Sequence, residues 1–251
     1  MPQRSLQDAR EFLKDTVRLH IDFAQTDQNK GIAPPPLEKP FDPDKKRIPL
    51  VKPRAWQSIK PVTLQAALEH RRSRRRFKTT ALTLEELSFL LWATQGLKRR
   101  FGNEAAFRTV PSAGARHALE TYLCLLRVEG LQPGLYRYLP LEHELLLEYT
   151  DNEIALKLVA AVLGQQFVAA SAAVFIWAAL PYRMEWRYGL AAHKVIALDT
   201  GHVCQNLYLA CEAIDAGTCA IAAYNQQAID TLLGINGQDE FTIYLAPVGK
   251  V

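Results

Sequence analysis

The stretch Ala172-Ala173-Val174-Phe175-Ile176-Trp177-Ala178-Ala179-Leu180 is an unbroken apolar run that ends at Pro181. The uncharged segment around it, Phe167 to Leu180, is shorter than the roughly 20 apolar residues that a bilayer requires, so it favours a buried strand. Beyond it, from about Ala191 to Ile214, apolar residues recur at helical spacing. A buried strand followed by a long helix predicts a sheet with helices packed against it.

Further strands and helices are predicted on both sides of this stretch. Thr83 and Glu86 form a capping box for a helix over Leu84–Gln95, and Gly96 ends it. The charged segment Lys98–Phe101 is expected to be a loop. The order of elements predicts an α+β domain with a largely antiparallel sheet flanked by helices. The other expected elements are helices from Thr63 to about Arg71, Asn152–Leu163 and Gln226–Leu233, and strands Glu120–Val128, Gly134–Leu139, His143–Tyr149, Thr218–Ala222 and Phe241–Val248.

Residues 1–60 differ in composition from residues 61–251, and we expect them to form a separate N-terminal segment. A helix is predicted around Leu6 to Phe23, and the prolines that follow exclude regular helix or central strand. We interpret this part as an extended arm lying over the domain, because a free linker would not carry so many apolar residues. A partly disordered tail is the alternative. The expected anchors are Ile48, Leu50, Val51 and Trp56.

A cluster of basic residues spans His70–Lys78, with five arginines and one lysine around Ser73. The whole chain carries only +4, from 30 basic and 26 acidic residues, so the positive charge is local and suits a compact anion such as a phosphate. In an extended backbone Arg71, Ser73 and Arg75 point the same way. A solvated charge run or a nucleic-acid patch remains an alternative, although few aromatic residues lie nearby. Lys250, near the end of the last predicted strand, could meet the same anion.

Two segments of small residues, Pro111–Ala115 and Gly217–Ala223, would let backbone amides approach a flat ring. No dinucleotide glycine fingerprint, P-loop or GxSxG motif is present, and no pair of ligand residues suggests a metal site. The four cysteines form no CxxC motif, and neither a signal peptide nor a membrane segment is apparent. We therefore expect a cytoplasmic protein that binds neither membranes nor nucleic acids.

Taken in order, these motifs resemble the SagB-type branch of the FMN-dependent nitroreductases. The resemblance covers nearly everything after residue 60, and the proline-rich arm is similar to the leader of stand-alone members. The motifs that carry it are Arg-Arg-Ser-x-Arg-x-Phe at 71–77, Leu-Leu-Trp-Ala-Thr-Gln-Gly at 90–96, Arg-Thr-Val-Pro-Ser-Ala-Gly-Ala at 108–115, Pro-Gly-Leu-Tyr-Arg-Tyr at 133–138, Gly-His-Val-x-Gln-Asn-Leu-Tyr-Leu-Ala at 201–210, Gly-Thr-Cys-Ala-Ile at 217–221 and Pro-Val-Gly-Lys at 247–250.

The resemblance implies the nitroreductase fold and a homodimer in which both subunits touch each FMN, with the helix through Gln205 and Asn206 at the dimer core. Arg71, Ser73, Arg75 and Lys250 would hold the phosphate end of FMN. The flavin ring would be lined by Pro111, Ser112, Ala113 and Gly114 and would have its N5 atom facing Ile221, Ala222 and Ala223.

This chain departs from its relatives at two places. Arg116-His117-Ala118 stands where they often have Leu-Tyr-Pro, and Ala222 stands where a glycine is frequent. Arg116 could supply positive charge near N1 of the flavin. The azoline-oxidising members use a Lys-Tyr pair as a base, and the matching residues here are Arg187 and Tyr188. Arginine stays protonated and is a poor base, but Tyr188 remains a candidate catalytic residue.

The expected activity is transfer of hydride from NAD(P)H through flavin N5 to an electron-poor small molecule, a nitroaromatic or a quinone. Two alternatives stay open. One is an azoline-to-azole dehydrogenase acting on a modified peptide. The other is a flavin-binding protein whose catalytic pocket has decayed, which the Arg116-His117-Ala118 substitution suggests.

Overall fold

The computed structural model of the protein describes residues 5–251. Within these residues seven strands form one sheet in the order β1-β6-β5-β4-β7-β9-β8, and each neighbouring pair is antiparallel. A separate ribbon pairs β2 with β3. The strands are β1 Arg47–Pro49, β2 Leu97–Phe101, β3 Ala105–Arg108, β4 Leu119–Leu125, β5 Gly134–Leu139, β6 Glu144–Thr150, β7 Ala173–Ala179, β8 Ala216–Thr218 and β9 Phe241–Lys250.

Strand β7 lies between β4 and β9, and every one of its residues is buried. Its side chains alternate between two apolar cores. Phe175 and Trp177 face the core that also contains residues of α3 and α6, whereas Val174 and Ile176 face the core that contains residues of α4 and α7. Since both faces of this strand are covered, it reads in sequence as a continuous apolar run.

The helices flank the sheet as the α+β prediction requires. They are α1 Leu6–Leu13, α2 Leu64–His70, α3 Leu84–Gln95, α4 Ile154–Ala161, α5 Tyr182–Tyr188, α6 Ala192–Glu212 and α7 Gln226–Leu233. The predicted bounds of α3 and α7 are confirmed, and the capping box of α3 is formed by Thr83 and Glu86. Among residues 5–251, no helix is both long enough and apolar enough to cross a membrane.

The structure corrects two of the sequence expectations in the middle of the chain. The loop expected at Lys98–Phe101 is strand β2, which forms a hairpin with β3. Its residues are mostly exposed, so they carry no alternation of apolar and polar residues that would reveal a strand. Pro181 not only ends the region of β7 but also precedes α5, a helix that the sequence pattern did not predict.

The N-terminal segment contains less helix than predicted. Helix α1 ends at Leu13 because the backbone is extended at Lys14, and only two short 3-10 turns follow before Thr26. After them the chain runs extended over the domain. Strand β1 pairs with the edge strand β6, and the predicted anchor Leu50 is buried in the core of the domain. The division into segments at residue 60 stays a prediction, and residues 1–4 lie outside the described residues.

Charged side chains fasten the arm to the sheet. The Lys39 Nζ atom lies 2.5 Å from a carboxylate oxygen of Glu240 and donates to the hydroxyl of Tyr122 at 2.9 Å. The backbone N–H of Lys39 donates to the carboxylate of Glu120 at 2.9 Å, and the guanidinium of Arg137 donates to the carbonyl of Lys39. These contacts join the arm to β4, β5 and the start of β9.

We predict that the neighbouring Glu38 makes stability depend on pH. Burial, followed by the charges of Glu120 and Glu142, raises its pKa from 4.5 to about 7, although the Leu141 N–H opposes this. The folded state therefore holds this proton more tightly, and the stabilisation is lost as pH rises from about 4.5 through 7. Glu38→Gln should gain about 2 kcal/mol of unfolding free energy relative to wild type between pH 5 and 8, measured by urea denaturation.

The matched control is Glu129→Gln, which removes an exposed carboxylate from a turn. Its unfolding free energy should follow the wild-type pH dependence. A constant difference between Glu38→Gln and wild type over pH 5–8 would contradict the prediction.

Candidate functional site

The basic segment lies against the end of the sheet in an extended conformation. Ser73 forms an isolated parallel bridge with Thr218 of β8, and the N–H of Arg74 donates to the carbonyl of Thr218 at 2.9 Å. Further along, the N–H of Lys78 donates to the carbonyl of Lys250 at 2.8 Å. Because the backbone is extended here, the side chains of alternate residues, Arg71, Ser73 and Arg75, lie on the same side of the segment.

Ser73 is linked to the small-residue segment after β8 through Tyr208 of α6. The Tyr208 hydroxyl lies 3.0 Å from the Ser73 hydroxyl and accepts the backbone N–H of Ala220 at 2.9 Å. When Tyr208 donates to Ser73, the hydroxyl hydrogen of Ser73 is left for an anion. The guanidinium carbon of Arg71 lies 5.4 Å from the centre of the Tyr208 ring, a cation–π contact that holds Arg71 beside Ser73.

The arginines of this segment have no acidic partner in the part of the chain that the structure describes. Arg75 is placed 6.0 Å over the ring of Phe167. None of the five arginines from Arg71 to Arg76 forms an ion pair with a carboxylate of residues 5–251. The Lys78 ammonium donates to the main-chain oxygen of Val251 at 2.6 Å. Unneutralised positive charge beside a hydroxyl that can still donate its hydrogen is the chemistry that a phosphate needs.

Lys250 is engaged elsewhere in this structure. Its Nζ atom lies 2.5 Å from a carboxylate oxygen of Glu86 and also donates to the carbonyl of Ile214. The structure therefore does not bring the Lys250 ammonium to Arg71, Ser73 and Arg75. Its predicted contact with a phosphate stays a prediction, and it requires this ion pair to open.

The segment from Pro111 to His117 forms a tightly held loop. Asp199 of α6 accepts hydrogen bonds from the hydroxyl of Ser112 and, at 3.3 Å, from the N–H of Ala113. Burial raises the pKa of Asp199 above its usual value, although both hydrogen bonds oppose this. The Ser112 hydroxyl in turn accepts the N–H of His117 at 2.9 Å. The predicted ring-lining residues are therefore fixed in place by a carboxylate that the sequence analysis did not identify.

Backbone strain is concentrated in this loop. Gly114 has a φ of 59°, and the non-glycine residues Ala115 and His117 have φ values of 54° and 47°. Such left-handed conformations are unfavourable for residues with a Cβ atom and persist where surrounding contacts impose them. Strain that is maintained by several hydrogen bonds is typical of a functional loop.

The two unusual side chains of this loop point into the protein. Arg116 is 5% exposed, donates to the carbonyls of Arg183 and Glu104 at 3.2 and 3.1 Å, and lies 4.7 Å over the Trp186 ring. Burial lowers the pKa of Arg116, and it lowers the pKa of His117 to about 3, so the imidazole is neutral. Both side chains serve the loop's structure and do not fill the space beside Gly114.

Helix α5 brings Arg187 and Tyr188 to the other side of Gly114. If Gly114 carried a Cβ atom, that atom would lie 2.7 Å from the Tyr188 hydroxyl oxygen and 2.9 Å from Cδ of Arg187. The Tyr188 side chain therefore packs against the loop Pro111–Gly114. Because Tyr188 lies far along the chain from Gly114, sequence spacing could not reveal this contact.

The segment after β8 offers backbone donors. Ile221 exchanges hydrogen bonds with Leu245 of β9, so its N–H is used within the sheet. Ala222 and Ala223 are exposed, and in the described part of the chain their N–H groups have no hydrogen-bond partner. The available donors in this segment are therefore those of Ala222 and Ala223.

The predicted residues thus form two clusters, each held by one residue of α6. The phosphate half-site contains Arg71, Ser73 and Arg75 with Tyr208, and the loop half-site contains Pro111–Gly114 and Tyr188 with Asp199. Tyr208 and Asp199 are nine residues apart, which places them about half a turn apart around the helix and about 13 Å apart along it. The signal for Asp199 in the sequence was a carboxylate on the apolar stripe of α6, between Ile196 and Val203.

The fold is found in several solved structures. One from Ralstonia eutropha JMP134 that is named as a nitroreductase has a TM-score of 0.67 and 26% identity, with 86% of this chain and 97% of that chain covered. Another from Anabaena variabilis has a TM-score of 0.65 and 24% identity over 83% of this chain, which spans only 42% of that protein. The Escherichia coli microcin synthetase McbBCD complex with truncated pro-MccB17 contains a chain with a TM-score of 0.61 and 17% identity, covering 100% of this chain and 98% of that one.

Sequence comparison is more specific than fold similarity. A protein of Methanocaldococcus jannaschii that is named as a nitroreductase is 35% identical over 192 residues, which are 76% of this chain and 93% of that protein. The profile of the Nitroreductase family matches residues 68–250. The resemblance to the nitroreductase family inferred from the motifs is confirmed, and the full-length similarity to the microcin synthetase chain shows that the two share this fold. The chain belongs to the nitroreductase family of oxidoreductases.

Proposed function

We propose that the protein is an FMN-dependent oxidoreductase that draws electrons from NAD(P)H and reduces an electron-poor small molecule of the nitroaromatic or quinone type. The observation that carries this proposal is the group of arginines around Ser73, none of which is paired with a carboxylate of residues 5–251. Its position beside exposed backbone donors at Ala222 and Ala223 suits a cofactor with both a phosphate and a flat ring.

The residues present fit the phosphate of FMN. A dianion would neutralise part of the charge of Arg71 and Arg75 and would accept the hydroxyl hydrogen of Ser73. Tyr208 positions both Arg71 and Ser73, so these two groups are held before a ligand arrives. When bound, FMN supplies two-electron transfer at its ring, which protein side chains do not provide by themselves.

The loop half-site fits the ring. Pro111, Ser112, Ala113 and Gly114 present a rigid surface of small residues that Asp199 holds in one conformation. A fixed loop positions its backbone groups at no further entropic cost when a ligand binds.

We propose that the complete site is shared by two subunits. The two half-sites lie on opposite sides of α6, so one chain does not place them around one ligand. A two-fold dimer can bring the phosphate half-site of one protomer to the loop half-site of its partner.

A stripe of exposed residues on α6 supports that dimer. Leu198 is 55% exposed, and Gly201 and Gln205 follow it on the same side of the helix. A Cβ atom on Gly201 would meet nothing within 4 Å, so the protomer itself does not explain a glycine in mid-helix, which costs about 1 kcal/mol relative to alanine. Close approach of a second helix explains both features.

A second candidate function, oxidation of a peptide azoline, is favoured by the place of Tyr188 against the loop half-site. Incubation with an azoline peptide should then remove two hydrogens from it, as detected by mass spectrometry, and Tyr188→Phe should abolish the loss. An unchanged peptide mass with flavin-loaded protein would reject this function.

We predict that the purified protein carries FMN and that Arg71→Ala and Arg75→Ala each release it. Loss of one charge-assisted contact to the phosphate should weaken binding about 10- to 100-fold. Flavin absorbance per protein after gel filtration measures retention, and anaerobic bleaching of the wild type by NADH or NADPH identifies the donor.

Arg76→Ala is the matched control, because Arg76 is an exposed arginine of the same segment outside the proposed phosphate contacts. It should retain flavin at the wild-type level. Wild-type protein that stays colourless after incubation with FMN would reject the proposed function.

We also predict that Leu198→Glu separates the dimer and lowers flavin retention while the protomer stays folded. The substitution places a charge in the apolar contact between two copies of α6. Sedimentation velocity gives the mass, and circular dichroism verifies the fold.

Leu156→Glu serves as the control, since Leu156 is 69% exposed on α4, away from α6. It should remain a dimer with bound flavin. Wild-type protein that sediments as a monomer with tightly bound flavin would contradict the shared site.

A further inference from the structure

Two polar groups at the loop half-site have no partner in the described residues. The guanidinium of Arg187 forms neither an ion pair nor a hydrogen bond within residues 5–251. The Tyr188 hydroxyl likewise forms no hydrogen bond within these residues. Both side chains are half-buried. Neither residue has a polar side-chain atom that is buried without a partner, so both groups reach solvent beside the loop, where a ligand can contact them.

These two groups converge on one point. The Nε atom of Arg187 and the hydroxyl oxygen of Tyr188 lie 3.0 and 2.7 Å from the position that a Cβ atom on Gly114 would take. The guanidinium carbon of Arg187 also lies 5.5 Å from the centre of the Tyr188 ring, which aligns the two side chains. A donor fork and a hydroxyl therefore meet beside the rigid loop.

The surroundings are positively charged. The charges of Arg187 and Arg183 both lower the pKa of Arg116, after burial, so these cations act on one another. The carboxylate carried by the same helix, Glu185, is taken by His193 at 2.8 Å. The Glu120 carboxylate is likewise paired with Arg183. The charge of Arg187 is thus left for a ligand.

We propose that Arg187 and Tyr188 form an anion subsite that binds a carboxylate or phosphate of the substrate next to the loop half-site. This inference rests on the proposed function and specifies its substrate class as an anionic one. Arginine keeps its proton at all relevant pH values and binds a carboxylate through two parallel hydrogen bonds. Arg187 therefore recognises charge and does not abstract a proton, and the Tyr188 hydroxyl is a third donor.

Binding of benzoate and of neutral benzyl alcohol to the purified protein tests the subsite directly by titration calorimetry. Arg187→Gln should raise the Kd of benzoate about 10-fold or more and leave that of benzyl alcohol unchanged. Arg187→Lys keeps the charge but loses the two parallel donors of the guanidinium, so its Kd for benzoate should lie between those of wild type and Arg187→Gln. Tyr188→Phe should raise the Kd of benzoate by a few fold. Arg47→Gln, at an exposed arginine on β1, should bind as wild type does.

Turnover distinguishes the two sources of the anion. If the acceptor supplies it, Arg187→Gln lowers kcat/KM for para-nitrobenzoate about 10-fold or more but not for nitrobenzene. If the nucleotide supplies it, the variant raises KM for NADPH but not for NADH, and the two acceptors are affected equally. Either pattern supports the subsite.

Benzoate affinity that is the same in wild type and Arg187→Gln would overturn the proposal, as would equal losses for benzoate and benzyl alcohol. Thermal unfolding of each variant separates loss of the contact from loss of the fold. A protein without flavin would reject the proposed function, yet the calorimetric comparison would still decide on the subsite.

Discussion

The carboxylate of Glu120 is the interaction on which the rest of the site depends. It is 2% exposed, lies 2.5 Å from a guanidinium nitrogen of Arg183, accepts the N–H of Lys39 and lies 3.8 Å from Arg137. Burial alone would raise its pKa, but the charges of Arg183, Arg137 and Arg108 hold it below the usual value. A buried carboxylate of this kind fixes its partners, since removing one charge from a buried pair typically costs about 3–5 kcal/mol.

Through Arg183 this single charge determines the geometry of the loop half-site. Arg183 belongs to α5, and its carbonyl accepts the guanidinium of Arg116, which anchors the strained loop that contains Gly114. The same helix carries Arg187 and Tyr188 to that loop. The arm is bound to the same carboxylate through Lys39, so the N-terminal segment supports the site without contributing a residue to either half-site.

The sequence predicted those parts of the fold whose signals are local. The capping box and stop glycine of α3 and the apolar run of β7 depend on neighbouring residues, and both were located correctly. Strand β2 was missed because its mostly exposed residues show no alternation of apolar and polar side chains, and helix α5 was missed because its burial is set by tertiary contacts. In the site, the alternating positions of Arg71, Ser73 and Arg75 could be recognised in the sequence. Asp199 and Tyr208 could not, because they act through contacts with residues that are distant along the chain. Lys250 shows the same limit, because its pairing with Glu86 depends on where the fold places the start of α3 relative to the end of β9.

The arrangement of the two half-sites gives α6 two roles, and under the proposed function they serve one ligand only in a dimer. Asp199 orders the loop Pro111–Gly114 on one side, and Tyr208 orders Arg71 and Ser73 on the other. Each side is fixed by the protomer's own fold, so no rearrangement is needed when the partner arrives. In the proposed dimer the exposed stripe at Leu198, Gly201 and Gln205 supplies the association energy, and the preformed half-sites supply the binding geometry. Assembly of the subunits is then the step that completes the site.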